Sequence, residues 1–146
     1  MTIAQRSIPA AHISLEAANV LIESARAAAR DIGFEAAIAV TDAAGNLRAF
    51  ERTDNCPFLT VDVAIDKAWT AASFGIATDM WADIILGNPK VAQLAHRPRL
   101  VAVGGGLPIV ENGRVIGGIG ISGGTADQDK QAGQVALKQI GFDVAS

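Results

Sequence analysis

The chain has 146 residues, 50% hydrophobic and 18% charged, against roughly 25% charged in an average soluble domain. Its net charge of −3, with no basic cluster, argues against nucleic acid as a partner. A single cysteine, Cys56, excludes an internal disulfide framework and a thiolate-rich metal site, and no apolar run is long enough for a membrane span. The expected location is therefore cytoplasmic. Much of the apolar excess is alanine, and so lightly charged a surface predicts a homo-oligomer, since subunit interfaces carry few charges.

Residues 1–12 form a polar lead-in in which Ile3 and Ile8 either pair as an edge strand or drape over the body. Ser14 predicts an N-cap. Behind it Leu15, Ala18, Ile22, Ala25, Ala29 and Ile32 recur at three- and four-residue steps, opposite Glu16, Asn19, Glu23, Arg26 and Arg30. This is an amphipathic helix of about five turns, ended by Gly33. Phe34 to Thr41 reads as a strand, Asp42 to Asn46 as a turn with Gly45 at positive φ, and Leu47 to Arg52 as the return strand. Alternation puts Leu47, Ala49 and Glu51 on one face and Arg48, Phe50 and Arg52 on the other. Glu51 and Arg52 then stand at the sheet's end, beside Asp54, Asn55, Cys56 and Pro57.

Thr60 predicts the cap of a second helix with Val61, Ala64, Ile65, Ala68 and Ala72 as its apolar stripe. Lys67 has only Val63 and Ala71 one turn away, so its ammonium reaches elsewhere. A short helix is expected from Thr78 to Leu86, and Asn88-Pro89 starts another that Pro98 stops. From Arg99 to Lys130 three apolar runs are punctuated by Gly104-Gly105-Gly106, Asn112-Gly113 and Ser122-Gly123-Gly124. Asn-Gly between LPIVE and RVIGGIGI is a hairpin signal. Thr125 and Gln128 have capping-box spacing for a last helix to about Ile140. The sum is five strands, paired antiparallel within each short-linked group, with helices packed against the sheet.

Most of the fifteen glycines lie between Arg99 and Lys130. GGGLPI lacks the GK[ST] of a phosphate loop, and IGGIGISGG sits in a hairpin rather than a βαβ unit, so neither nucleotide motif is present. Ser122-Gly123-Gly124 places free N–H groups at a helix start, where a carboxylate would bind; equally, glycines there let backbone pack closely. His12 and His96 could act as axial haem ligand or general base, although a helix-end dipole interaction accounts fully for His96. Cys56 is a nucleophile or a half-buried thiol. Among Glu51, Arg52, Asp54, Lys67 and Asp127, the cations could clamp a substrate carboxylate while Glu51 or Asp54 moves a proton. Ordinary surface ion pairing is the competing account.

The segments DAAGNLRAFERTD, DVAIDKAWTAASFG and GGGLPIVENGRVIGGIGISGGTADQDKQ together resemble the GlcG/HbpS-type proteins, the haem-degrading or haem-binding domain family. These are also similar to the C-terminal domain of some cobalamin adenosyltransferases. The likeness runs from about Ser14 to Ile140. It implies one domain over 1–146 with an α/β (α+β), profilin-like, five-stranded antiparallel sheet flanked by helices, assembled as an oligomer. Asp42 and Gly45 match the family's turn, Lys67 its helix lysine, and Gly105, Gly106 and Pro108 its GG-x-P motif. Ser122, Gly123, Gly124 and Asp127 match the final motif. Many relatives carry Met-Asp-Gly-Ala after the second-strand arginine, where this chain has Thr53-Asp54-Asn55-Cys56-Pro57.

Taken together, the residues lead to the expectation of a small oligomeric enzyme or binding protein for a carboxylated catabolic intermediate, hydrolytic or isomerising. Glu51, Arg52, Asp54 and Lys67 would be catalytic; Gly105, Gly106, Ser122, Gly123, Gly124 and Asp127 would bind the small-molecule carboxylate. No metal or resident cofactor is expected. Two alternatives stand beside it: a haem-binding or haem-degrading accessory protein, for which the resemblance would make haem the cofactor, and a non-catalytic interaction module.

Overall fold

The computed structural model describes residues 3–144, so the start of the lead-in and the last two positions of the expected domain lie outside the described residues. Ser14 caps α1 (Leu15–Ile32) by accepting the Ala17 N–H, and Gly33 ends the helix at φ 108°. Phe34 still donates to the Ala29 carbonyl, so the strand expected from Phe34 begins only at Ala37. The remaining elements are β1 (Ala37–Asp42), β2 (Leu47–Arg52), α2 (Leu59–Phe74), α3 (Thr78–Gly87), a 3₁₀ helix (Pro89–His96), β3 (Gly106–Glu111), β4 (Arg114–Ser122) and α4 (Ala126–Ile140). Thr60 lies inside α2 and donates to the Pro57 carbonyl instead of capping. Thr125 and Gln128 do form the capping box of α4. Ile3 and Ile8 are exposed and form no strand.

The sheet has four antiparallel strands in the order β2-β1-β4-β3, which corrects the five-stranded profilin-like expectation. The missing strand is the apolar run Leu100 to Val103. Arg99 enters it at φ 72°, off the extended region, and two threonines then take up its backbone groups. The Thr70 hydroxyl donates to the Arg99 carbonyl and accepts the Val101 N–H at 3.0 and 3.1 Å. The Thr78 hydroxyl donates to the Val103 carbonyl and accepts the Gly106 N–H. Side chains of neighbouring helices thus take the Val101 N–H and the Val103 carbonyl, groups that a strand ladder would otherwise use. Asn112 and Gly113, both at positive φ, close the β3–β4 hairpin as the Asn-Gly pair predicts.

Three layers result. Ile38, Val40, Leu107, Ile119 and Ile121 face α1 and α4, meeting Leu21, Ile22 and Leu137 in the main core. The opposite face carries Ala37 and Ala39 with Gly106, Gly118 and Gly120, and receives Ala64 and Ala68 of α2. A Cβ on Gly120 would lie 2.0 Å from the Ala64 carbonyl oxygen, and one on Gly118 would lie 2.2 Å from that of Ala68. Gly118 and Gly120 of β4 therefore admit the backbone of a helix.

Candidate functional site

Register decides which of the expected site residues meet. Glu51 pairs with Ile38 across the ladder and so points toward α1, where its carboxylate takes a hydrogen bond from Arg26. Arg52 pairs with Ala37, points to the α2 side, and donates to the Cys56 carbonyl at 3.3 Å. Asp54 is exposed on the rim of an open polar cavity of about 430 Å³ that it shares with Arg26, Arg30, Glu35, Thr53 and Asn55. The sheet thus separates Glu51 from Arg52. Cys56 is a buried free thiol, 3.1 Å from the Thr60 hydroxyl, and donates to the Ser122 carbonyl at 3.8 Å.

Lys67 is 2% exposed and reaches away from its own helix, as its lack of helical partners predicts. Its Nζ donates to the Ile121 carbonyl at 2.9 Å and to Asp129 Oδ2 at 3.0 Å. Gly105, at φ 131°, makes the room: a Cβ there would be 2.6 Å from Nζ. Gly106 does the same for the Lys67 carbonyl. Burial pushes the Lys67 ammonium below its ordinary value and the Asp129 carboxyl above its own, and their mutual attraction only partly offsets this.

The glycine turn before α4 does bind a carboxylate, but one from the chain itself. Gly124 N–H donates to Asp129 Oδ1 at 2.9 Å, while a Cβ on Gly123 would strike the Glu35 carbonyl at 2.1 Å. Asp127 is exposed in the first turn of α4. Sequence reasoning passed over Asp129, although a signal existed. It shares the buried stripe Asp129, Ala132, Gly133, Ala136 and Leu137, and a carboxylate on such a stripe needs a buried cation.

A second feature escaped the sequence reading altogether. Trp69, Thr70, Ser73 and Phe74 of α2, Trp81 of α3, Leu94 of the 3₁₀ helix, and Arg97, Pro98 and Leu100 line an apolar groove of about 210 Å³. Phe74 and Trp81 meet edge to face with centroids 5.2 Å apart. Arg99 covers one face of Trp69 at 4.5 Å and is itself held by Asp66 at 2.9 Å. Trp81 is 7% exposed, and its Nε1 has no hydrogen-bond acceptor among the described residues. The signal was scarcity: both of the chain's tryptophans converge on this one groove. His96 sits between Leu94 and Arg97. His12 meets the turn between β1 and β2, its Nδ1 accepting the Ala43 N–H at 3.2 Å. Among the described residues no group of three or more His, Cys, Asp or Glu side chains could hold a metal ion, and no helix is long and apolar enough to cross a membrane.

With this geometry in view, comparison with known proteins is decisive for the family. The model of the family "Haem degrading protein HbpS-like" matches residues 13–138. This chain belongs to that family. A relative from Citrobacter freundii, an uncharacterized 15.0 kDa protein in the dhaT-dhaS intergenic region, is 34% identical over 129 residues, covering 87% of this chain and 91% of that protein. The crystal structure of Klebsiella pneumoniae protein ORFY has a TM-score of 0.87 at 30% identity, covering 94% of this chain and 96% of that one. The crystal structure of a PduOC:haem complex has a TM-score of 0.83 at 26% identity, covering 92% of this chain and 99% of that one.

These findings overturn the expectation of an enzyme for a carboxylated catabolic intermediate. A family described by haem degradation, with a solved relative in complex with haem, points to haem rather than a small-molecule carboxylate. Hydrolase chemistry, a catabolic pathway and a small organic acid find no support. The physical reason agrees: the backbone amide at Gly124 already holds the Asp129 carboxylate, and the polar groups meant to act together point to different sides of the sheet.

Proposed function

We propose that this HbpS-like chain is a haem-binding protein, and that an edge of the macrocycle enters the groove between α2, α3 and the 3₁₀ helix. The observation that carries the reading is the groove's chemistry. A porphyrin needs apolar and aromatic walls, a donor at an axial position, and polar partners at its edge. Trp69, Phe74, Trp81, Leu94 and Leu100 supply the walls, and Trp81 Nε1 is a donor still lacking an acceptor. The larger cavity near Asp54 has one aromatic residue, Phe34, among mostly charged and polar ones.

His96, exposed at the end of the 3₁₀ helix and next to Arg97 of the groove wall, is the axial donor this reading favours. Accepting the Ala43 N–H at Nδ1 places the proton of a neutral His12 on Nε2, which leaves neither nitrogen of that ring free for iron. When bound, haem would supply the redox and ligand-binding chemistry of its iron; the chain's own residues hold and shield it. Lys67, the glycines around it, and Ser122 to Gly124 then act as scaffold, while Glu51, Arg52, Asp54 and Asp127 serve local contacts. The exposed Phe58, Leu59 and Leu86 support a homo-oligomer, and the lone buried thiol supports a cytoplasmic location for a one-domain protein.

Titration with hemin, followed at the Soret band, tests the proposal. A saturable shift is expected in the parent and in His12→Ala, with the band displaced and affinity reduced in His96→Ala. No saturable shift in the parent removes haem as the ligand; an unchanged His96→Ala spectrum removes that residue as donor.

A further inference from the structure

The groove is lined by no acidic residue, and its single charged side chain is Arg97 at the rim. The other arginine of this corner is committed, since Arg99 is paired with Asp66 and stacked on Trp69. Arg97 belongs to none of the ion pairs among the described residues, and its side chain is exposed. Its backbone is nevertheless fixed: the Arg97 N–H donates to the Leu94 carbonyl at 3.1 Å, and Pro98 follows it in the groove wall. A fork-shaped cation on a fixed backbone, at the mouth of an apolar cleft with no competing anion, is suited to a ligand that is flat and apolar at one end and carboxylated at the other.

We infer that Arg97 is the specificity-determining residue of the groove, and that it selects tetrapyrroles whose peripheral propionates are free carboxylates. The inference rests on the haem reading above and adds to it: an edge of the macrocycle enters the groove, and Arg97 reads the acid it carries. Esterified or uncharged macrocycles would fit the same walls without that contact.

Equilibrium titration of the parent, Arg97→Gln and Arg97→Lys with hemin and with hemin dimethyl ester tests this. The parent is expected to bind hemin about tenfold more tightly than the ester, the factor that corresponds to about 1.4 kcal/mol. Arg97→Gln should lose that preference by weakening hemin alone, with ester affinity unchanged. Arg97→Lys should restore part of the preference, and added salt should shrink it. Equal affinity of the parent for hemin and ester, or a preference that survives in Arg97→Gln, overturns the inference while leaving haem binding intact. Failure of the parent to bind hemin at all overturns both.

Discussion

The two faces of the sheet are built from different materials. Toward α1 and α4 the strands present isoleucine, leucine and valine, filling a thick layer in the way a half-buried sheet ordinarily does. Toward α2 they present alanine and glycine, and α2 answers with Ala64 and Ala68. The thick face gains stability from apolar area, about 25 cal/mol per Å² removed from water. The thin face has little side-chain area to bury and depends instead on close backbone contact. That closeness lets Lys67 span from α2 to α4 and leaves Trp69 and Phe74 further along α2 to form a groove.

The sharpest way to break the comparison is to change side-chain bulk on adjacent residues of β4. Gly120→Val forces side-chain atoms onto the Ala64 carbonyl, a backbone atom that cannot swing away. Its expected cost exceeds about 4 kcal/mol, a large share of the roughly 5–15 kcal/mol that holds an ordinary domain together. Ile119→Val, one residue away on the thick face, should cost about 0.5–1.5 kcal/mol. Denaturant unfolding of both variants decides it. If Gly120→Val unfolds within about 1 kcal/mol of the parent, α2 is not held by the close approach described here.

A smaller effect is expected at the buried ion pair. Lys67→Met alone leaves Asp129 buried without its cation, at a cost of about 3–5 kcal/mol, whereas Lys67→Met with Asp129→Leu should recover most of the loss. The double variant still gives up the Asp129 bond from Gly124 and the Lys67 bond to Ile121, so recovery should be incomplete. Denaturation of the two singles and the double closes the cycle. Costs that simply add would show that the two charges act independently.

How much of the fold and of the site is legible in the sequence follows from how local each signal is. Caps and turns are local: Ser14, Gly33, Asn112-Gly113 and the Thr125–Gln128 box can be read directly, because each satisfies backbone groups within a few residues. The run Leu100 to Val103 cannot, because Thr70 and Thr78 claim its backbone from about thirty residues away in sequence. Glycine is legible as close approach, but not what approaches. At Gly118 and Gly120 it is helix backbone, at Gly117 the Thr41 carbonyl, at Gly105 a lysine ammonium, and at Gly123 the Glu35 carbonyl. The split between Glu51 and Arg52 is legible from strand alternation alone. Neighbours on one strand face opposite sides of a sheet, which is how Glu51 comes to meet Arg26 while Arg52 meets the Cys56 carbonyl. The groove assembles residues scattered from α2 to Leu100, and the two scarce tryptophans mark it only once the fold brings them together.

The smallest expected effect concerns the turn that abuts the thin face, where a Cβ on Gly45 would touch Trp69 at 2.7 Å. Asp42 holds this turn by accepting the Ala44 and Asn46 N–H groups at 2.9 and 3.0 Å. Partial burial by itself would raise its carboxyl, but those bonds, the Asn46 amide and nearby His12 together bring it below the ordinary aspartate value. A folded-state value lower than the unfolded one means that the unfolded chain binds more protons between the two. The stabilisation is therefore complete above the ordinary aspartate value and disappears as pH falls through the lowered one. Asp42→Asn has no charge to titrate, so the parent should exceed it by roughly 0.5 kcal/mol or less near neutral pH, after solvent screening. In acid the two melting curves should converge. A gap that stays constant through the acid range would mean that the turn is held by shape alone, and that the charge of Asp42 contributes nothing to the edge of the thin face.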